Sequence, residues 1–253
     1  MCGFADQSRG SWTESVDGRK KPGQVPGFLK LVDLFLAVAA FAMGCGLMSS
    51  PPAYAQVLLA AQTWNIQYSP GMPAHPIAVD SGWYFDFPAP SCGGADVCSV
   101  HYVSTPVRMS VTTTDHVNAV LLVTTTGTPV FNYRLNRNNT CDYPAHARLY
   151  LQRLADNLSG QGEYEFYRWF SNEVAYELAA GSANLTAALT PEQWTSVFGK
   201  KGDHDSATKV GFVQALQNLG QVGFVFGGGC FYGHGVNVSG GTARFTLRRY
   251  SME

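Results

Sequence analysis

From Trp64 to Tyr250 the chain alternates apolar and polar residues in short runs divided by turn-forming residues. Trp83, Phe85 and Phe87 alternate with Tyr84 and Asp86, and Pro88 and Pro90 close the run. Val107, Met109 and Val111 alternate with Arg108 and Ser110, and Phe131, Tyr133 and Leu135 with Asn132 and Arg134. Ala147, Leu149 and Leu151 share one face, with Arg148, Tyr150 and Gln152 on the other. Val174, Tyr176 and Leu178 repeat the pattern. A period of two is the signature of a strand whose faces see different surroundings, because successive side chains point to opposite sides. Further strands are predicted at 64–68, 222–226 and 243–250. Residues 119–123 are apolar throughout, which suits a strand covered on both faces. Residues 164–170 are aromatic on both faces. A turn is predicted at Thr126, Gly127, Thr128 and Pro129.

Two short helices interrupt the strands. Thr190 as cap, Pro191 in the first turn and Gln193 three residues after the cap open one, and Gly199 ends it. Trp194, Val197 and Phe198 give it an apolar face. Phe212, Ala215, Leu216 and Leu219 predict a second, ending at Gly220. Neither is long enough to stand alone in water, so each must pack on the strands. Many short strands with few helices predict a mainly β chain, an antiparallel β-sandwich of jelly-roll type. No internal repeat and no linker divide residues 56–253, which read as one domain.

The N-terminal 55 residues change the picture. Arg19, Lys20 and Lys21 precede an apolar run from Phe28 to Met48, and Ala53 and Ala55 make a small-residue cleavage site before Gln56. These are the three parts of an export signal. An uncleaved anchor is the competing reading, because the run approaches the ~20 residues needed to span a bilayer. A lipobox-like Cys45 is a second alternative. The protein is therefore expected to be secreted or periplasmic, with membrane contact only through a retained leader.

Cysteine usage fits that address. Beyond the leader stand Cys92, Cys98, Cys141 and Cys230, an even set that reads as two disulfides. Three connectivities are possible. The small, glycine-bent loop between Cys92 and Cys98 favours that pair, which leaves Cys141 with Cys230.

The 253 residues carry a formal net charge of -1, and only 14% are charged, against about 25% in ordinary soluble domains. A clustered basic face for nucleic acid is absent. No G-x-S-x-G elbow is present, and the cysteine spacing matches no zinc pattern. No cofactor or metal is implied. Asp203, His204 and Asp205 offer ligand atoms, but their spacing matches no calcium loop, and a solvated loop explains them. The glycine-dense run 227–235 lacks the helix and Lys-Ser/Thr pair of a phosphate cradle, so it reads as a tight turn. Sequons stand at Asn138, Asn157, Asn184 and Asn237.

The order of Pro191, Trp194, Gly199, Phe212, Leu216, Asn218, Leu219 and Gly223 resembles the C-terminal part of galactose-binding-like jelly rolls. These include laminin B-type domains and carbohydrate-binding modules of exported bacterial proteins. The resemblance implies a jelly-roll fold that frequently binds sugar. The closing strand, with Ala243, Arg244 and Phe245, lacks the acidic residue usual there, so the resemblance does not carry over a calcium role. The functional expectation is an exported, non-catalytic module that binds carbohydrate. Its alternatives are an envelope-associated protein-interaction domain and a secreted hydrolase. If Phe166 and Phe170 point inward, Tyr167 and Trp169 face solvent as a stacking pair for a glycan. Tyr232 and His234, in the glycine loop, are further candidate ligand contacts.

Overall fold

The computed structural model describes residues 56–57, 60–92, 97–133, 144–229 and 232–253. The leader, Cys141, Cys230, Asn138 and the tail of the strand expected at 131–135 lie outside the described residues. In chain order the strands are β1 (Gln56–Val57), β2 (Asn65–Gln67), β3 (Ile77–Val79), β4 (Gly82–Asp86), β5 (Tyr102–Met109) and β6 (His116–Tyr133). They continue with β7 (Ala145–Arg153), β8 (Arg168–Glu177), β9 (Gly181–Ala188), β10 (Trp194–Ser196), β11 (Leu219–Gly228) and β12 (Val236–Met252). One α-helix, α1 (Ser206–Gln217), lies between β10 and β11.

The strands form two antiparallel sheets. The first runs β3-β4-β12-β6-β9, with β1 also on β12, and the second runs β10-β8-β7-β11-β5-β2. Four pairings are nested: β4 with β12, β5 with β11, β6 with β9 and β7 with β8. A long antiparallel ribbon rolled so that its first strand meets its last produces this order, which is the jelly roll. Between the sheets lie Trp83, Phe85, Phe245 and Leu247 from one side and Leu149, Leu151, Phe224 and Phe226 from the other. Each such side chain, fully removed from water, contributes roughly 1.5–3 kcal/mol. Trp64 plugs one end, its ring 4.8 Å from that of Trp83 and 5.4 Å from that of Tyr250.

Several expectations are corrected. The turn at 126–129 does not form, because β6 passes straight through it. Gly127 pairs with Gly241 across β6 and β12, the register slips between Ser239 and Gly241, and Gly127 and the unpaired Gly240 have φ of 70° and 72°. Glycines in the left-handed region let a bulge absorb the extra residues. Beyond Val123 the strand pairs only with β12, so Pro129 costs no ladder bond on a second side. Residues 119–123 are covered on one face only, with Ala119, Leu121 and Val123 buried and Val120 and Leu122 half-buried.

The helix expected after Thr190 shrinks to one 3-10 turn, Pro191–Gln193, followed by edge strand β10. Thr190 makes no side-chain cap bond. Gln193 instead accepts from the Ala188 N–H at 3.1 Å, and the Trp194 indole donates to the Ala188 carbonyl at 2.8 Å. The other helix is longer than its apolar spacing suggests, because its cap lies in the polar loop before it. Asp205 Oδ1 accepts from the Thr208 N–H at 2.7 Å and its hydroxyl at 2.8 Å.

These bonds hold the Asp205 carboxyl below the usual aspartate range, the Thr208 amide contributing most. A depressed carboxyl stabilises the fold fully above its unfolded pKa of about 3.9, and that contribution is lost as pH falls through the depressed value. Asp205→Asn is therefore expected to melt a few degrees below the wild type at pH 7, with the gap closing below about pH 4. Thermal unfolding monitored by circular dichroism across pH checks this, and a gap that widens on acidification would contradict it.

Cys92 and Cys98 are paired at disulfide distance, with Cα atoms 5.7 Å apart, inside the usual range. Among the described residues no helix is long and apolar enough to cross a membrane. Two sequon asparagines, Asn157 and Asn184, are exposed. Asn237 is buried, and its amide donates to the Cys98 carbonyl at 3.0 Å and accepts from Asn132 at 3.2 Å. That amide has no room for a sugar.

Candidate functional site

The aromatic stretch 164–170 is not one strand. Gly160 and Gly162, with φ of 66° and 59°, turn the chain into a 3-10 segment, Gly162–Phe166, and β8 starts only at Arg168. Side-chain parity is therefore opposite to expectation. Trp169 points into the sandwich and Phe170 points out. Trp169 is fully buried, with its ring 4.9 Å from that of Phe212 on α1 and its indole donating to the Phe166 carbonyl at 2.8 Å. Tyr167 is buried under Arg153, whose guanidinium lies 4.5 Å from the ring centroid. Neither ring can stack on a ligand, so the Tyr167–Trp169 platform is withdrawn.

A second aromatic cluster lies on the outer face of the second sheet, with Tyr150 and Phe170 buried and Tyr102 and Tyr232 half-buried against them. Phe170 on β8 stands directly opposite Tyr150 on β7, with ring centroids 5.7 Å apart. Tyr102 on β5 meets Tyr150 at 5.2 Å, and Tyr232 meets Phe170 at 5.7 Å. Tyr68 extends the row, 5.9 Å from Tyr102. It is 57% exposed, with φ of 53°. A bulky non-glycine residue rarely adopts that conformation, and its cost of about 1–3 kcal/mol must be met by surrounding contacts.

Two cations border this row. Arg148 lies 4.3 Å from the centroid of the Tyr232 ring and donates to the carbonyls of Ser171 and Asn172. Arg168 is ion-paired with Asp156 at 3.0 Å and donates to the Leu158 carbonyl at 2.8 Å. Asp156 in turn accepts from the Leu158 N–H and from Gln152, each at 2.9 Å. Its side chain is completely buried, and that of Arg168 is 10% exposed. A buried carboxylate thus holds a guanidinium against the aromatic row. Burial raises the Tyr102 phenol above its ordinary value, against the opposing pull of Arg168. Burial raises Tyr150 still further. Both hydroxyls stay protonated and neutral at physiological pH.

Of these groups Tyr102, Arg168, Phe170 and Tyr232 line a cleft of about 740 Å³, together with exposed His234. A second cleft of about 910 Å³ shares His234 and includes Tyr68, Ser99, His101 and Asn132. The structure therefore brings Tyr232 and His234 together at one site and puts Tyr167 and Trp169 elsewhere. Sequence reasoning missed Tyr68, Tyr102, Phe170, Arg148 and Arg168. The available signal was the presence of arginines at 148 and 168 inside otherwise apolar and aromatic runs, where a charge needs a local reason. Asp205, read from the sequence as part of a solvated loop, is the N-cap of α1.

No protein-family model, no curated protein and no solved structure matches the chain. The reading of the site rests on its own chemistry.

Proposed function

We propose that this protein is an exported glycan-binding domain whose site is the cleft on the outer face of the second sheet. The observation that carries the reading is the half-buried pair Tyr102 and Tyr232, backed by buried Phe170, beside an ion-paired Arg168 in an open cleft. A sugar ring has an apolar face and a hydroxyl rim. Aromatic rings cover the face, and phenols and guanidinium groups bond the rim. Pockets that bind polar ligands combine apolar walls with a few well-held polar groups in this way. The proposed address outside the cytosol rests on the leader and on the Cys92–Cys98 pair, which persists only where conditions are oxidising.

Isothermal titration calorimetry against a panel of oligosaccharides, using exported protein whose first residue is Gln56, tests the proposal. Tyr232→Ala is expected to weaken binding at least about tenfold, which is about 1.4 kcal/mol, while leaving the melting temperature near that of the wild type. Failure of every oligosaccharide to bind, or a Tyr232→Ala variant that binds as well as wild type, would reject it.

A further inference from the structure

The second cleft contains a pair of groups that glycan binding does not use. Ser99 Oγ and His101 Nε2 are 2.6 Å apart, and His101 Nδ1 is 3.1 Å from the Gly233 carbonyl oxygen. These two contacts fix the tautomer. A carbonyl oxygen only accepts, so Nδ1 carries the proton and donates it. Nε2 is left with its lone pair, and the Ser99 hydroxyl donates to it. A serine bonded to an imidazole whose other nitrogen is oriented by a third group is the arrangement of an activated nucleophile.

The pair sits on a stiff frame. His101 N–H donates to Ser69 Oγ at 2.8 Å, and the His101 carbonyl accepts from the Phe226 N–H at 2.9 Å. The residue before Ser99 is tied twice, by Cys92 through sulfur and by the Asn237 amide to its carbonyl. Gly235 passes closely over the pair with φ of 87°. A Cβ there would stand 2.5 Å from both Ser99 Oγ and His101 Nε2. Only glycine fits between the pair and the loop that crosses it. Fixed geometry of this kind is what a reacting pair requires.

We propose that Ser99 and His101 form the nucleophile and base of a site that hydrolyses carboxylic esters. Ser99 Oγ attacks the ester carbonyl carbon while its proton passes to His101 Nε2. The bond from that carbon to the alcohol oxygen breaks, and the departing alcohol takes the proton from Nε2. Water then attacks the acyl-serine and gives one proton to Nε2. The carboxylic acid leaves as Ser99 Oγ recovers that proton, so no oxidant or further reactant is consumed. His234 borders both clefts. If the glycan reading also holds, an O-acylated saccharide in the first cleft is the natural ester to reach Ser99.

The test does not depend on glycan binding. Folded wild-type protein is treated with an alkyl fluorophosphonate, which phosphonylates activated serines, and the modified peptide is located by mass spectrometry. Hydrolysis of p-nitrophenyl acetate is followed in parallel. We expect one adduct on Ser99 and ester hydrolysis above buffer. Ser99→Ala and His101→Gln should each lower hydrolysis by about 100-fold or more, or to background. Ser182→Ala, exposed on β9 and outside both clefts, should keep both the labelling and the hydrolysis. A purely structural hydrogen bond leaves Ser99 unmodified. No Ser99 adduct on folded wild type, or hydrolysis unchanged in Ser99→Ala, overturns the proposal whatever the oligosaccharide titrations give.

Discussion

Trp169→Ala is expected to cost about 3–5 kcal/mol of folding stability and to leave oligosaccharide affinity unchanged in the protein that still folds. The indole has no exposed surface. It fills the space between β8 and α1, edge-on to Phe212 at 4.9 Å and stacked near Phe166 at 6.2 Å. Truncation loses the transfer energy of the ring and leaves a cavity that the rigid sheet cannot close. It also leaves the carbonyl of half-buried Phe166 without the indole donor it meets at 2.8 Å. Trp169→Phe should lose less, since most of the volume remains. Urea unfolding of both variants measures the effect. A loss under about 1 kcal/mol would mean that α1 packs loosely, and a selective loss of affinity would restore Trp169 to the binding face.

That variant also isolates where sequence pattern stops being informative. Alternation located the strands because each inner face must be apolar, and β4 shows it plainly, with Trp83 and Phe85 buried and Asp86 exposed. Disulfide partners six residues apart were legible for a similar local reason. Where both faces of a strand are aromatic, alternation no longer says which side is inside. A slip of one residue then exchanges every face. In β8 the start of the strand decided the parity, and Gly160 and Gly162 set that start through loop geometry. The helix boundary failed for a related reason. A TPEQ run is a good helix opening by local rules, but Trp194, Thr195 and Ser196 find backbone partners on β8, and sheet pairing outweighs a propensity worth tenths of a kcal/mol.

The clefts were harder to see because their residues come from distant parts of the chain. Tyr102, Tyr150, Phe170 and Tyr232 sit on β5, β7, β8 and the loop after β11, and only the rolled topology makes them neighbours. Ser99 and His101 are two residues apart, yet the group that orients the imidazole is the carbonyl of Gly233. Tyr232 and His234 stood out in the sequence because the glycine loop is chemically unusual, and both line the first cleft. Their partners did not stand out.

Asp156→Ala is expected to remove about 3–5 kcal/mol of stability, the cost of leaving one member of a buried ion pair alone. The carboxylate has no exposed surface, and Arg168 beside it is nearly as enclosed. Deleting Asp156 removes the carboxylate that lies 3.0 Å from Arg168 Nε and that accepts from the Leu158 N–H and the Gln152 amide. Solvent screening is weak at this depth, so the loss should greatly exceed the 0–1 kcal/mol of an exposed pair. The exposed Arg244–Asp86 pair, bidentate at 2.7 and 2.9 Å, is the internal comparison, and Asp86→Ala should cost far less. Binding separates the roles further. Arg168 lines the cleft, so Asp156→Ala should weaken oligosaccharide affinity along with stability, although Asp156 does not line the cleft. Asp156→Asn keeps an oxygen for the Leu158 N–H but not the charge, and should fall between. Urea unfolding and calorimetry on the same samples decide the matter. A stability loss comparable to that of Asp86→Ala would mean that water reaches the pair. Undiminished affinity would mean that Arg168 holds its place without Asp156, and that the carboxylate serves the fold alone.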